Sequence, residues 1–308
     1  MNMETWIPIV ASTVAAATPL IIAALGILVS ERAGVLNLGV EGIMLVGAVT
    51  AFAVGTASGS LFLGYVAAIG AGLAMGLLFG VLTLTLQANQ VATGLALALF
   101  GVGLSAFLGK PFAGMPIDRI PVMPIPLLSD IPVLGPLLFR YDALVYLSIV
   151  LYFVVARFLY RSAPGLRLRA IGESPAVAHS LGYPVMHTRY MAVMFGSAMC
   201  ALAGAYLSTA LTPMWVEGMS AGRGWIVLAL VVFATWRPLR VLLGAYLFGG
   251  VTVLQLHAQA FGVAIPSEFL SMLPYAATIV VLVVICRNSR TILLNQPASL
   301  GRSFHANG

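Results

Sequence analysis

Charge is the scarcest property of this sequence. Only 8% of its 308 residues are Asp, Glu, Lys or Arg, whereas 61% are hydrophobic, and the mean hydropathy is +1.04. A soluble domain of this length would be about a quarter charged, so this chain cannot cover a water-exposed surface with polar groups. The composition therefore excludes an ordinary soluble protein and predicts a protein of the lipid bilayer.

The chain also lacks the motifs of common ATP-binding and metal enzymes. Its one lysine, Lys110, precedes a proline, so no GxxxxGK[ST] phosphate-binding loop occurs. Neither HExxH nor CxxC occurs, and Cys200 and Cys286 both fall in apolar segments. We therefore expect no catalytic residue, no metal site and no bound cofactor.

About nine apolar segments have the length of a membrane helix, which needs ~20 residues, and we take eight to ten as the range. Their approximate limits are 5–29, 36–56, 61–86, 91–109, 141–160, 190–211, 223–236, 240–261 and 270–286. The segment 223–236 is short, which is typical of a tilted, broken or re-entrant helix. The sequence predicts an all-α polytopic protein made of one transmembrane domain over 1–308.

Basic residues in the loops predict the orientation. With the N-terminus outside, 11 of the 15 Lys and Arg residues fall on the inner side, and the opposite orientation would place those 11 outside. We therefore expect an N-out, C-in chain. The first helix is expected to be retained, because no basic residue precedes it as it would in a cleaved signal.

Two loops stand out between the helices. Residues 110–140 contain seven prolines, a density that disfavours helices and strand ladders, so we expect an irregular external loop packed on the outer face. In the inner loop 161–189 we predict a short helix near 175–181, with Ser174 as N-cap, Pro175 at the first position and Gly182 just past the end. So short a helix is unstable alone and must be held by this chain or by a partner.

The stretch ERAGVLNLGVEG at 31–42 holds three of the chain's few charges. We expect Glu31 and Arg32 to reach water at the inner end of the first helix. Asn37 and Glu41 are four residues apart, so on a helix beginning there they would share one face. Two interpretations stay open: a turn between two helices, or a pair of side chains facing a pore or gate.

This stretch resembles a signature of membrane permeases of ABC importers for nucleosides, in the class that also serves simple sugars and branched-chain amino acids. The matching residues are Glu31, Arg32, Gly34, Asn37, Gly39, Glu41 and Gly42. The segment from GESPAVAHSLGYPV onward is similar to the family's cytoplasmic coupling region, and ANQVATGLALALFGVGLSAFL resembles its fourth membrane segment.

The resemblance implies a bacterial inner-membrane assembly of several chains. A second, related permease completes the pore, a cytoplasmic ATPase subunit drives it, and an extracytoplasmic lipoprotein delivers the solute. The helix near 175–181 would dock on the ATPase. The residues expected to do so are Glu173, Ser174, Pro175, Ala176, Val177, Ala178, Leu181 and Gly182.

The translocation path is predicted from solute chemistry. A pore for neutral, planar, hydrogen-bonding nucleosides favours amides and hydroxyls over charges, and the candidates are Asn37, Glu41, Gln90 and Gln255. Each is equally explained as a contact between helices. The alternatives are a sugar or branched-chain amino acid permease, an ion-coupled transporter, which would carry more intramembrane charge, and a scaffold without transport.

Overall fold

The computed structural model describes residues 3–126, 128–132, 134–260 and 295–305, together with single positions between 269 and 283. This part of the chain is mostly helical. Its α-helices are α1 (Met3–Arg32), α2 (Val40–Ser58), α3 (Leu61–Gly80), α4 (Gln90–Gly109), α5 (Leu134–Leu138), α6 (Ala143–Arg161), α7 (Ala163–Glu173), α8 (Pro175–Ser180), α9 (Val185–Tyr206), α10 (Arg223–Phe233) and α11 (Pro238–Ala260). Short π-helical segments, Val81–Thr85 and Leu207–Leu211, extend α3 and α9.

Seven helices of the described part are long and apolar enough to cross a bilayer. They are α1, α2, α3, α4, α6, α9 and α11, each with its short extension where one exists. The helical class is therefore confirmed. The segment predicted at 270–286 lies outside the fully described ranges, so the count of nine and the N-out, C-in orientation stay predictions.

Helices α1, α2 and α9 form the centre of the bundle. In the most apolar stretch of each of these three helices, between 72% and 78% of the residues are buried. The corresponding share in the other four spans is 28% to 39%. Glycines bring the central backbones into contact, since a Cβ added at Gly47 would overlap Ala201, and one at Gly204 would overlap Met44. Such close approach is how helices gain packing energy where lipid removes the hydrophobic driving force.

Helix α2 begins about halfway along its neighbour α4, not at the end of the bundle. A Cβ at Gly42 would lie 2.8 Å from the Cα of Ala98, which is eight residues into α4 and so about 12 Å from its start. The segment 35–39 therefore runs in extended form beside the first turns of α4. The helix predicted to begin at 36 begins at Val40 for this reason.

Helix α10 is the second element that starts at this depth. The preceding segment 212–222 leaves the end of α9, places Trp215 in one buried cluster with Phe52 of α2, and then reaches Glu41. From there α10 rises only 11 residues, about 16 Å. The predicted short segment 223–236 is therefore a half-length helix, which accounts for its apolar length.

The proline-rich loop is more ordered than its composition predicts. Strand β1 (Val122–Pro124) pairs antiparallel with β2 (Arg140–Asp142), and α5 lies between them, so the expectation of a wholly irregular loop was wrong. A two-stranded ribbon has two edges, and proline is tolerated at an edge because its missing N–H is not needed there. The loop also binds the segment after α9, with the Ile117 amide donating to the Pro213 carbonyl at 3.2 Å.

Candidate functional site

The N-termini of α2 and α10 meet at Glu41, whose side chain is buried. Its Oε1 accepts hydrogen bonds from the Ser220 hydroxyl at 2.5 Å and the Gly222 amide at 2.9 Å, and its Oε2 accepts one from the Gly224 amide at 2.6 Å. Both helices present the positive ends of their dipoles to this carboxylate, which stabilises its charge. Glu41 thus joins two helix starts halfway through the bundle.

Asn37 does not share a helical face with Glu41, and that prediction was wrong. It lies in the extended segment before α2, because the helix starts three residues later, at Val40. Its Oδ1 accepts a hydrogen bond from the Gly39 amide at 2.8 Å, a local turn that aims the chain into the helix. Of the two interpretations left open by the sequence, these contacts favour the turn.

The glutamines predicted for the path occupy unrelated positions. Gln90, buried at the start of α4, accepts a hydrogen bond from the Leu36 amide at 2.8 Å and donates to the Arg302 carbonyl at 3.5 Å. It therefore braces the extended segment before α2. Gln255 lies partly exposed on α11, so the candidates are not gathered at one place.

We expected no catalytic motif in the chain, but one pentapeptide matches the spacing of a motif found in serine hydrolases. Residues 218–222 read GMSAG, which fits the GxSxG nucleophile elbow and joins an extended segment to a helix. In that elbow the serine hydroxyl is exposed beside a histidine base. Here Ser220 is buried and donates to Glu41, so the serine anchors a helix start.

Glu31 and Arg32 are buried, contrary to the expectation that they reach water. Glu31 accepts a hydrogen bond from the indole Nε1 of Trp236 at 2.5 Å, and Arg32 donates to the Trp236 carbonyl at 2.8 Å. Trp236 follows α10, so these charges fasten the end of that helix to α1. Sequence reasoning missed this because the partners are about 205 residues apart.

A third buried charge, Arg189 in α9, organises the same end of the bundle. Its guanidinium donates to the Ala33 carbonyl at 3.1 Å, the Ser299 hydroxyl at 3.0 Å and the Arg302 carbonyl at 3.4 Å. The Ser299 hydroxyl in turn donates to the Gly172 carbonyl of α7 at 2.7 Å. We call this set the Arg189 hub. It links the α1–α2 connection, α7, α9 and the segment 295–305, which we call the C-terminal segment.

Helix α8 matches the short helix predicted near 175–181, ending one residue earlier. The Ser174 hydroxyl accepts from the Val177 amide at 3.5 Å, Pro175 is the first residue, and Gly182 has φ of +81°. Ala178 is buried against Ile171, Val185 and Phe304. The chain therefore holds this helix itself, partly through the C-terminal segment.

The outer face of α8 differs from the predicted docking surface at one residue. Val177 is 58% exposed and Leu181 is 69% exposed, whereas Ala178 is buried and cannot touch a partner. Helix α7 was not predicted at all. The sequence pattern that predicts the start of α7 is the same as for α8: a capping serine followed by a proline in the first turn, here Ser162 and Pro164.

These features define a polytopic membrane protein in which the N-terminus of a full-length helix, α2, meets that of a half-length helix, α10, inside the bundle. A family model described as branched-chain amino acid transport system / permease component matches residues 9–283, and the chain belongs to this family. It is a multi-pass plasma membrane protein and a permease component of an ABC importer. Membrane subunits of this kind are not catalytic themselves, and they work with an ATPase and a substrate-binding partner.

Similar proteins carry names for sugars and nucleosides. The chain is 42% identical to a putative glucose ABC transporter permease protein of Haloferax volcanii, over 96% of both chains. It is 33% identical to a guanosine ABC transporter permease protein of Bacillus subtilis and 35% identical to a nucleoside ABC transporter permease protein of Lactococcus lactis, over 89% of this chain in each case.

Proposed function

We propose that this chain forms half of a pore through which an ABC importer moves nucleosides or related small polar solutes. A second, related permease chain completes the pore. Two relatives named for guanosine and nucleosides support the solute class, together with the resemblance of residues 31–42 to the nucleoside branch. A simple sugar is the second candidate, because the relative named for glucose is 42% identical.

The translocation path is proposed to pass the junction of α2 and α10. Helix N-termini that lie inside a membrane bundle, as those of the full-length α2 and the short α10 do, are typical of solute sites in transporters. Asn37 and Glu41 shape the backbone there, Gln90 braces the segment that leads to it, and Gln255 is the proposed contributor from α11. With its oxygens satisfied by Ser220, Gly222 and Gly224, Glu41 acts on the path by holding α10 in place.

The solute class is tested by ligand binding to the partner lipoprotein, followed by competition in uptake by the complete assembly. Excess unlabelled guanosine is expected to abolish uptake of labelled guanosine, while the same excess of glucose or leucine leaves it unchanged. If glucose competed with guanosine for uptake, a simple sugar would take the place of the nucleoside as the proposed solute. Displacement by leucine alone would point to branched-chain amino acids.

The exposed side of α8 is proposed to dock on the ATPase subunit. Val177 and Leu181 supply an apolar surface, with Glu173, Pro175 and Ala176 around it, while Ala178 anchors the helix from below. Movement of α8 would reach α1 and α9 through α7 and the Arg189 hub. This linkage is the observation on which the coupling proposal depends.

Leu181→Asp is expected to abolish copurification of the ATPase without changing the folded yield. The side chain is 69% exposed, so the carboxylate costs little in the free chain, but it would be desolvated without a partner in a docked interface. Val122→Asp is the matched control, an exposed aliphatic residue of β1 at 54%. Normal copurification of Leu181→Asp would show that α8 is not the docking surface.

A further inference from the structure

A cleft of about 510 Å³ opens between α6, α7 and α9, beside the Arg189 hub. Its walls are almost wholly apolar: Val154 and Phe158 of α6, Leu168 of α7, and Met191 and Phe195 of α9. It serves none of the contacts assigned above to the α2–α10 junction or to the exposed face of α8. The cleft is therefore a separate site.

The cleft is a slot that runs along the helices and opens sideways. Val154 is 55% exposed and Met191 is 56% exposed, so the opening faces away from the bundle. From His187 at its mouth to Phe195 the slot follows eight residues of α9, a rise of about 12 Å. A lipid chain, lying parallel to membrane helices, has this direction and this chemistry.

The mouth of the slot is basic. Arg167 lines it, with its guanidinium 5.6 Å from the centre of the Tyr183 ring, and His187 and Thr188 lie beside it. Arg167 is the arginine that lines the slot, and a guanidinium at the mouth of an apolar slot complements a phosphate headgroup.

We propose that this slot binds an anionic phospholipid of the surrounding membrane. One lipid chain lies between α6 and α9, and the headgroup phosphate pairs with Arg167. Helix α7 lines the slot and leads through Ser174 into α8, so the bound lipid stabilises the position of α7 and therefore that of α8. Membrane composition then affects transport through α7.

Native mass spectrometry of the purified full-length chain tests this proposal, with phosphatidylglycerol and phosphatidylcholine as probes. The wild-type chain is expected to retain phosphatidylglycerol preferentially. Arg167→Gln is expected to weaken phosphatidylglycerol binding about fivefold, the effect of one basic residue at a membrane surface, and to leave phosphatidylcholine unchanged. Arg157→Gln, an exposed arginine of α6 outside the slot, should keep the wild-type preference.

Variants that fill the slot with a large side chain distinguish lipid binding at a defined site from attraction of lipids by diffuse surface charge. Val154→Trp is expected to abolish retention of both lipids, whereas Val150→Trp, equally exposed at 55% one turn earlier on α6, should retain them. Met191→Trp serves the same purpose from α9 should Val154→Trp lose helix content. Equal losses for Arg167→Gln and Arg157→Gln would overturn the proposal. So would a slot-filled variant that keeps its lipid but no longer self-associates, since the slot would then be a protein interface.

Discussion

Replacing Glu41 by alanine is expected to remove most of the folded protein from the membrane. The substitution leaves the Ser220 hydroxyl and the amides of Gly222 and Gly224 without their acceptor in a buried place. Each unsatisfied donor costs about 1–3 kcal/mol, and two helix N-termini lose a charge that contributes about 0.3–1 kcal/mol each. The sum is comparable to the whole stability of an ordinary domain, about 5–15 kcal/mol.

The measurement is the yield of monodisperse protein in detergent and the temperature at which half of it is lost. Glu217→Ala is the control, because Glu217 is an exposed acid in the same segment. Glu41→Gln is expected to give a yield and a midpoint between those of the two alanine variants. Its amide offers one acceptor oxygen, and its NH2 group faces a donor where the carboxylate had its second oxygen. If Glu41→Ala matched Glu217→Ala in yield and midpoint, the carboxylate would not be holding α10.

The second large effect is expected at Gly34, which lies against Ser299 and Arg189 of the hub. Gly34 has φ of +84°, and a Cβ there would overlap the Ser299 hydroxyl and lie 2.9 Å from Nη2 of Arg189. Gly34→Ala therefore adds two costs, about 1–2 kcal/mol for a left-handed backbone and about 1–3 kcal/mol for overpacking. It also pushes the C-terminal segment away from α9.

Gly59→Ala isolates the backbone part of this cost. Gly59 has a similar φ, +67°, with nothing within 4 Å of an added Cβ. We expect Gly59→Ala to lower the thermal midpoint slightly, and Gly34→Ala to lower it further and reduce copurification of the ATPase. Equal behaviour of the two variants would show that the hub does not depend on close contact at Gly34.

The sequence was sufficient for features set by local chemistry. The membrane class followed from composition, and the limits of α8 followed from Ser174, Pro175 and Gly182, whose roles depend on neighbours in the chain. The same capping signal was present at Ser162 and was overlooked before α7. Local patterns of this kind are readable because the interacting groups are a few residues apart.

The contacts of the buried charges were not readable in the same way. Glu41, Glu31 and Arg189 bind groups 110 to 205 residues away in the chain, and those groups are neutral hydroxyls, amides and an indole rather than opposite charges. A pattern of charge signs therefore gave no hint of the pairing. The half-depth start of α2 was hidden likewise, because 35–39 is as apolar as a helix but runs extended beside α4.

The most direct test of the account is uptake by membrane vesicles that hold both permease chains, the ATPase and the binding lipoprotein. We predict that labelled solute accumulates only with ATP inside the vesicles, that dissipating the proton gradient has no effect, and that Leu181→Asp abolishes accumulation while Val122→Asp does not. Accumulation that follows the proton gradient without ATP, or that persists fully in Leu181→Asp, would contradict a permease driven through α8.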